Sequence, residues 1–110
     1  MPESVPSQLR NTRTRPLHIA LVSTSLPRQC GIATFTADLV RAMQTADPGA
    51  RFSWAAINEE YSIHPYGPQV RWRIRQRHPE TYERAAADIN TTNVDVVSIQ
   101  HEFGLYGIWG

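Results

Sequence analysis

Hydrophobic and polar positions change register sharply at Leu17. Before it, residues 1–16 mix Arg, Ser, Thr and Pro without apolar periodicity, which predicts a flexible, solvated tail. From Leu17 to Thr24 the apolar run is nearly continuous. That pattern fits a strand of a parallel sheet covered by helices on both faces. A break at Leu26-Pro27-Arg28-Gln29-Cys30-Gly31 leads into a predicted helix over Ile32–Thr45, with Ile32, Phe35, Leu39 and Met43 as its apolar stripe. Asp47-Pro48-Gly49 supplies turn chemistry to end it.

A second strand is predicted over Arg51–Ile57, with Phe52, Trp54 and Ala56 on one face. A polar loop containing Pro and Gly runs from Asn58 to Gln69. Val70-Arg71-Trp72-Arg73-Ile74-Arg75 then alternates strictly, as expected of a strand with one wet face near the sheet edge. Pro79 suits the first turn of a second helix reaching Asn90, with Tyr82, Ala85, Ala86 and Ile89 facing inward. Val94 to Gln100 reads as a fourth, largely buried strand, followed by a loop from His101 to Gly107. Strands alternating with helices predict an α/β fold, a Rossmann-like open and mainly parallel sheet. Right-handed crossovers favour the spatial order 3-2-1-4. The first and fourth strands are then neighbours at the point where the winding reverses, where open α/β sheets bind ligands beyond the carboxyl ends of their strands.

Composition narrows the function classes. The 110 residues allow one domain, and the net charge of +1 gives no global field for a polyanion. All 11 basic residues are arginines. One cysteine, Cys30, cannot form an internal disulfide, which fits a reducing compartment, and cytoplasm is the default location. No apolar run reaches the roughly 20 residues of a membrane span, and the polar leader lacks a signal-peptide core. Cys30, His64, His78, His101 and Glu102 show no metal-ligand spacing, and no cofactor is implied.

The candidate chemistry gathers at the predicted switch point. Gly31 stands between a strand and a helix, where a residue without a side chain lets the backbone turn tightly and approach a ligand. A helix start there presents free N–H groups and a positive dipole end to a phosphate, although no dinucleotide-binding or P-loop glycine pattern is present. Thr34 is a second candidate, as a ligand donor or as a helix cap. His101 can hydrogen-bond sugar hydroxyls or phosphate oxygens, and Glu102 can orient it or bind a hydroxyl; the bland alternative for both is a solvated loop. Cys30 as a nucleophile would need a base such as His101. Arg71, Arg73, Arg75 and Arg77 form a basic stripe, but alternation places Trp72 on the opposite face, so stacking of a base beside them is not expected, and nucleic acid is not an expected partner.

Two stretches, Ile19 to Phe35 and Asp95 to Gly104, resemble the corresponding strand–loop–helix opening and later strand–histidine loop of bacterial group 1 (family 4) glycosyltransferases. The resemblance runs from about Leu17 to the end, and its middle matches mainly in pattern. It implies a GT-B enzyme of two Rossmann-like domains, in which this chain is an incomplete N-terminal, acceptor-side domain over residues 17–110. The full-length enzyme would transfer a sugar from a nucleotide-sugar donor to an acceptor with retention. Gly31 would face the donor diphosphate and His101 the donor sugar. The frequent double-glycine loop is replaced here by Cys30-Gly31. With the donor domain lying outside the chain, the expectation is that the chain alone does not transfer sugar. The competing expectations are a nucleotide-binding or response-regulator-like module without transferase activity, which would place acids at the strand ends where Ser23-Thr24-Ser25 stands, and a nucleic-acid-binding protein with steep salt dependence.

Overall fold

The structure is a computed structural model, and it describes residues 15–26, 30–59 and 64–100. Its elements, in chain order, are β1 (His18–Ser23), α1 (Gly31–Ala46), β2 (Arg51–Asn58), β3 (Val70–Arg75), α2 (Pro79–Asn90) and β4 (Val96–Ile99). The four strands form one parallel sheet in the order β3-β2-β1-β4, as the crossover rule requires. Among the described residues no helix is long and apolar enough to cross a membrane.

The unbroken apolar character of β1 has the expected cause. Ile19 and Leu21 point to the α1 side, where they pack with Val40 and Trp54. Ala20 belongs to the cluster on the α2 side, with Ala55, Ile57, Trp72, Ile74, Ala85 and Ile89. β2 is buried from Ser53 to Asn58, because it lies between two strands and under both layers. β3 buries Trp72 and Ile74 while Arg71, Arg73 and Arg75 stay exposed, matching its strict alternation.

Two expectations are corrected. The stripe on α1 is rotated: Ala33, Thr36 and Val40 are its buried residues, and Phe35 is 55% exposed. Thr36 is drawn inward by the Ser23 hydroxyl at 2.9 Å, and small side chains at positions 33 and 36 allow α1 to lie close to the sheet. A reading weighted by hydrophobicity favours the bulky Phe35 over Ala and Thr and so misplaces the centre of the stripe, although Ile32 and Met43 do pack against the core. The fourth strand is shorter than Val94–Gln100 and is not largely buried. Val96, Val97 and Ile99 are 49%, 45% and 63% exposed, because among the described residues β4 is an edge strand and neither helix reaches across it. An apolar groove of about 240 Å³ runs between β4 and α2, lined by Val22, Tyr82, Ala86, Ile89, Val97 and Ile99.

An uncharged, apolar edge strand is a surface for association. Size-exclusion chromatography with light scattering is expected to show self-association that rises with concentration. The double substitution Val97→Lys and Ile99→Lys is expected to suppress it. A strictly monomeric wild-type chain would remove this role for β4.

The amino ends of β1 and β4 are joined by a polar cluster. Asp95 accepts hydrogen bonds from the backbone N–H of His18 at 2.8 Å and from the Arg15 guanidinium at 2.7 and 3.1 Å. Arg15, on the tail side of the expected boundary at Leu17, also donates to the carbonyl of Asn93 at 2.9 Å. The His18 ring is 1% exposed and bonds through Nε2 to Ser53 Oγ at 2.8 Å. Asp95→Ala leaves the His18 N–H without this acceptor and takes the carboxylate away from Arg15, which keeps its bond to the Asn93 carbonyl. It is expected to cost about 1–3 kcal/mol, read as a lower denaturation midpoint with an unchanged slope. A change within a few tenths of a kcal/mol would show that the cluster contributes nothing.

Candidate functional site

The switch point lies between β1 and β4. Leu21 pairs with Ser98 and Val22 with Ile99, and the Gln100 N–H donates to the Val22 carbonyl at 3.0 Å. The carboxyl ends of the two strands therefore sit side by side, and α1 begins beside that of β1, where Thr24 Oγ1 meets Cys30 Sγ at 3.1 Å.

Beyond β1 the chain is polar yet buried: Ser23 and Thr24 are fully buried and Ser25 is 3% exposed. Each of the three hydroxyls has a partner. Ser23 Oγ donates to the Thr24 carbonyl at 2.6 Å; having one proton, it must then accept from Thr36 Oγ1. Thr24 Oγ1 meets Cys30 Sγ at 3.1 Å, and Ser25 Oγ donates to the Leu26 carbonyl at 3.1 Å. These bonds make a rigid floor under the start of α1 rather than a set of free ligand donors.

The start of α1 is open by contrast. Cys30 is the N-cap, in extended conformation, and its side chain makes no cap hydrogen bond. No acidic residue occupies the first turn. Among the described residues no side chain thus compensates the leading N–H groups and the positive end of the helix dipole, the electrostatic setting an anion needs. Gly31 is exposed, and a Cβ built on it would meet nothing within 4 Å. Its φ lies outside the left-handed range, so the backbone does not require glycine there. This corrects the turn-forming role read from the sequence.

Thr34 is the fourth residue of α1, so it is not the cap; it is exposed, and its hydroxyl has no partner among the described residues. With Leu26, Cys30, Gly31, Phe35 and Asp38 it lines a broad open trough of about 780 Å³. Asp38 places a carboxylate on the trough rim, and Arg41 bonds to it at 2.7 Å, offsetting its charge. Sequence reading missed Phe35 and Asp38 here. Phe35 carried the signal of a core position, and the trough exists only once α1 is rotated.

Gly31 and Thr34 are therefore brought to one surface. His101 and Glu102 lie outside the described residues. Cys30 is half-buried against Thr24, with no histidine bonded to it among the described residues. No group of three His, Cys, Asp or Glu side chains gathers among the described residues. The described ends of β1 and β4 carry hydroxyls and an amide, Ser23, Thr24, Ser25, Ser98 and Gln100, with no acid of the response-regulator type.

A second polar recess, of about 160 Å³, lies at the opposite edge of the sheet. It is lined by Arg71, Trp72, Arg73, Thr81, Arg84 and Asp88. Comparison with protein families, curated proteins and solved structures gives no match for this chain.

Proposed function

We propose that the chain forms the acceptor-side, diphosphate-facing wall of a glycosyltransferase that uses a nucleotide-sugar donor. The observation that carries this reading is the open N-terminus of α1 at the switch point: no side-chain cap, no first-turn acid, and Gly31 with free space where a Cβ would stand. Backbone N–H groups at residues 31–33 would hold the diphosphate and stabilise charge on it as the glycosidic bond to the nucleotide breaks. Thr34, without a hydrogen-bond partner among the described residues, would add a hydroxyl donor. On the resemblance to the family 4 enzymes, His101 positions the donor sugar and Glu102 supports it, a contribution of orientation rather than of covalent chemistry.

Transfer needs a second domain to close the cleft, so the 110-residue chain is expected to bind nucleotide diphosphates weakly and to transfer no sugar. Titration of the isotope-labelled chain with UDP, GDP and ADP tests the binding. Saturable amide shifts confined to residues 30–35 support the proposal. Shifts elsewhere, or none at millimolar nucleotide, overturn it.

A further inference from the structure

We propose that the outer edge of β4 is the contact of a symmetric dimer, in which β4 pairs antiparallel with β4 of a second copy and joins the two sheets into one. Among the described residues β1 is the one sheet neighbour of β4, so the other side of β4 is an edge. The register between β1 and β4 runs without a shift from Ile19–Val96 to Val22–Ile99. The Gln100 N–H donates to the Val22 carbonyl, and in a parallel ladder of this register Val96, Ser98 and Gln100 turn their main chain to β1. Val97 and Ile99 alternate with them and turn theirs outward, where no described residue bonds to them. The Asp95 N–H, which donates to the His18 carbonyl, precedes the strand and lies outside this alternation. Outward residues at 97 and 99 are self-complementary about a two-fold axis. With the axis between the two copies of Ser98, Val97 of each copy faces Ile99 of the other, and each such pair exchanges N–H···O=C bonds in both directions.

Charge selects a second copy as the occupant. A two-fold contact sets like groups against like, so a charge near its centre would meet itself. Val96, Val97, Ser98 and Ile99 carry none, and among the described residues no charged side chain lines the groove between β4 and α2. A strand bearing acids or bases would find no counter-charge there. Val97 and Ile99 share the α2 face of the sheet, so the pairing lays apolar against apolar and covers part of two side chains that stand 45% and 63% exposed. The opposite edge of the sheet does not compete. β3 presents Arg71, Arg73 and Arg75 as exposed residues, and an uncharged β4 offers them nothing to pair with. Head-to-tail pairing of β4 with β3 is thus disfavoured, and the assembly closes at two copies instead of growing into a filament.

The test uses the 110-residue chain. Light scattering should show the mass rising with concentration to that of a dimer and stopping there. Hydrogen exchange should show protection at the Val97 and Ile99 amides that grows over the same range. Ser98→Cys in a Cys30→Ser background reads the register. Across a non-hydrogen-bonded antiparallel pair the Cα atoms lie about 4.5 Å apart, within disulfide reach. Oxidised glutathione should therefore link Ser98→Cys into a covalent dimer, and should link Val97→Cys on the order of tenfold more slowly. The pair Val97→Lys and Ile99→Lys should be monomeric, as should the pair Val97→Glu and Ile99→Glu, and an equimolar mixture of the two proteins should dimerise, a rescue that misfolded variants could not give. A monomeric wild type, a mass that grows beyond the dimer, equal cross-linking at the two positions, or a mixture that stays monomeric would overturn the proposal. A monomer whose Val97 and Ile99 amides stay protected at every dilution has its edge covered by its own chain, and overturns it as well.

Discussion

Gly31→Val is expected to remove nucleotide-diphosphate binding while leaving the melting temperature at or slightly above that of the wild type. The stability half of this result follows from the backbone. Gly31 is the first residue of α1, its φ is outside the left-handed range, and a Cβ there meets open space. Valine is a somewhat better helix residue than glycine, so a change of a few tenths of a kcal/mol in favour of folding is the natural outcome. The binding half follows from reach. Phosphate oxygens must come within about 3 Å of the leading N–H groups, and two γ-methyls at the first helical position stand in that path. In the two-domain enzyme in which the proposal places this chain, losing one donor to developing charge is worth on the order of 3 kcal/mol, about a hundredfold in turnover. Gly31→Ala, with a single methyl, should fall between. Amide-shift titrations and thermal melts on the same preparations check both halves. If Gly31→Val binds nucleotide as the wild type does, the phosphate role of α1 is wrong. If it melts several degrees lower, the glycine serves the fold.

Leu21→Ala is expected to be the most damaging truncation on the α1 side of the sheet. Leu21 is fully buried in the middle of β1, packed with Ile19, Val40 and Trp54 and held between β2 and β4. Trimming a leucine in such a place costs about 3–5 kcal/mol, because the sheet and α1 cannot close over the lost volume. A domain of this size shifts by roughly 4–8 °C per kcal/mol, so a drop of more than about 10 °C is expected in a thermal melt followed by circular dichroism. The control is Leu39→Ala on α1, a half-buried position outside both core clusters, expected to cost about 1 kcal/mol or less. Equal losses at the two positions would show that the core is not organised around β1.

Much of this architecture could be read from the residues themselves. Local pattern determined the elements: the continuous run in β1, the strict alternation of β3, Pro79 at the start of α2 and the Asp-Pro-Gly stop after α1 each mark a structure through contacts a few residues apart. The order 3-2-1-4 was legible too, because crossover handedness is a property of any chain of L-residues. From these the adjacency of β1 and β4 followed without coordinates.

Tertiary structure alone decided how α1 is turned and how far β4 is covered. Ala33, Thr36 and Val40 face the sheet because a Ser23–Thr36 hydrogen bond and close helix packing outweigh the hydrophobicity of Phe35. That rotation puts Phe35 into the trough with Gly31 and Thr34. Residues with the sequence signature of a buried strand stand exposed in β4, because burial depends on what packs against a strand and not on its own composition. The convergence of Arg84 from α2 with Arg71 and Arg73 from β3 joins positions that no periodicity links. Sequence determines which contacts a segment can make through its own spacing; which of them it makes is settled by neighbours distant in the chain.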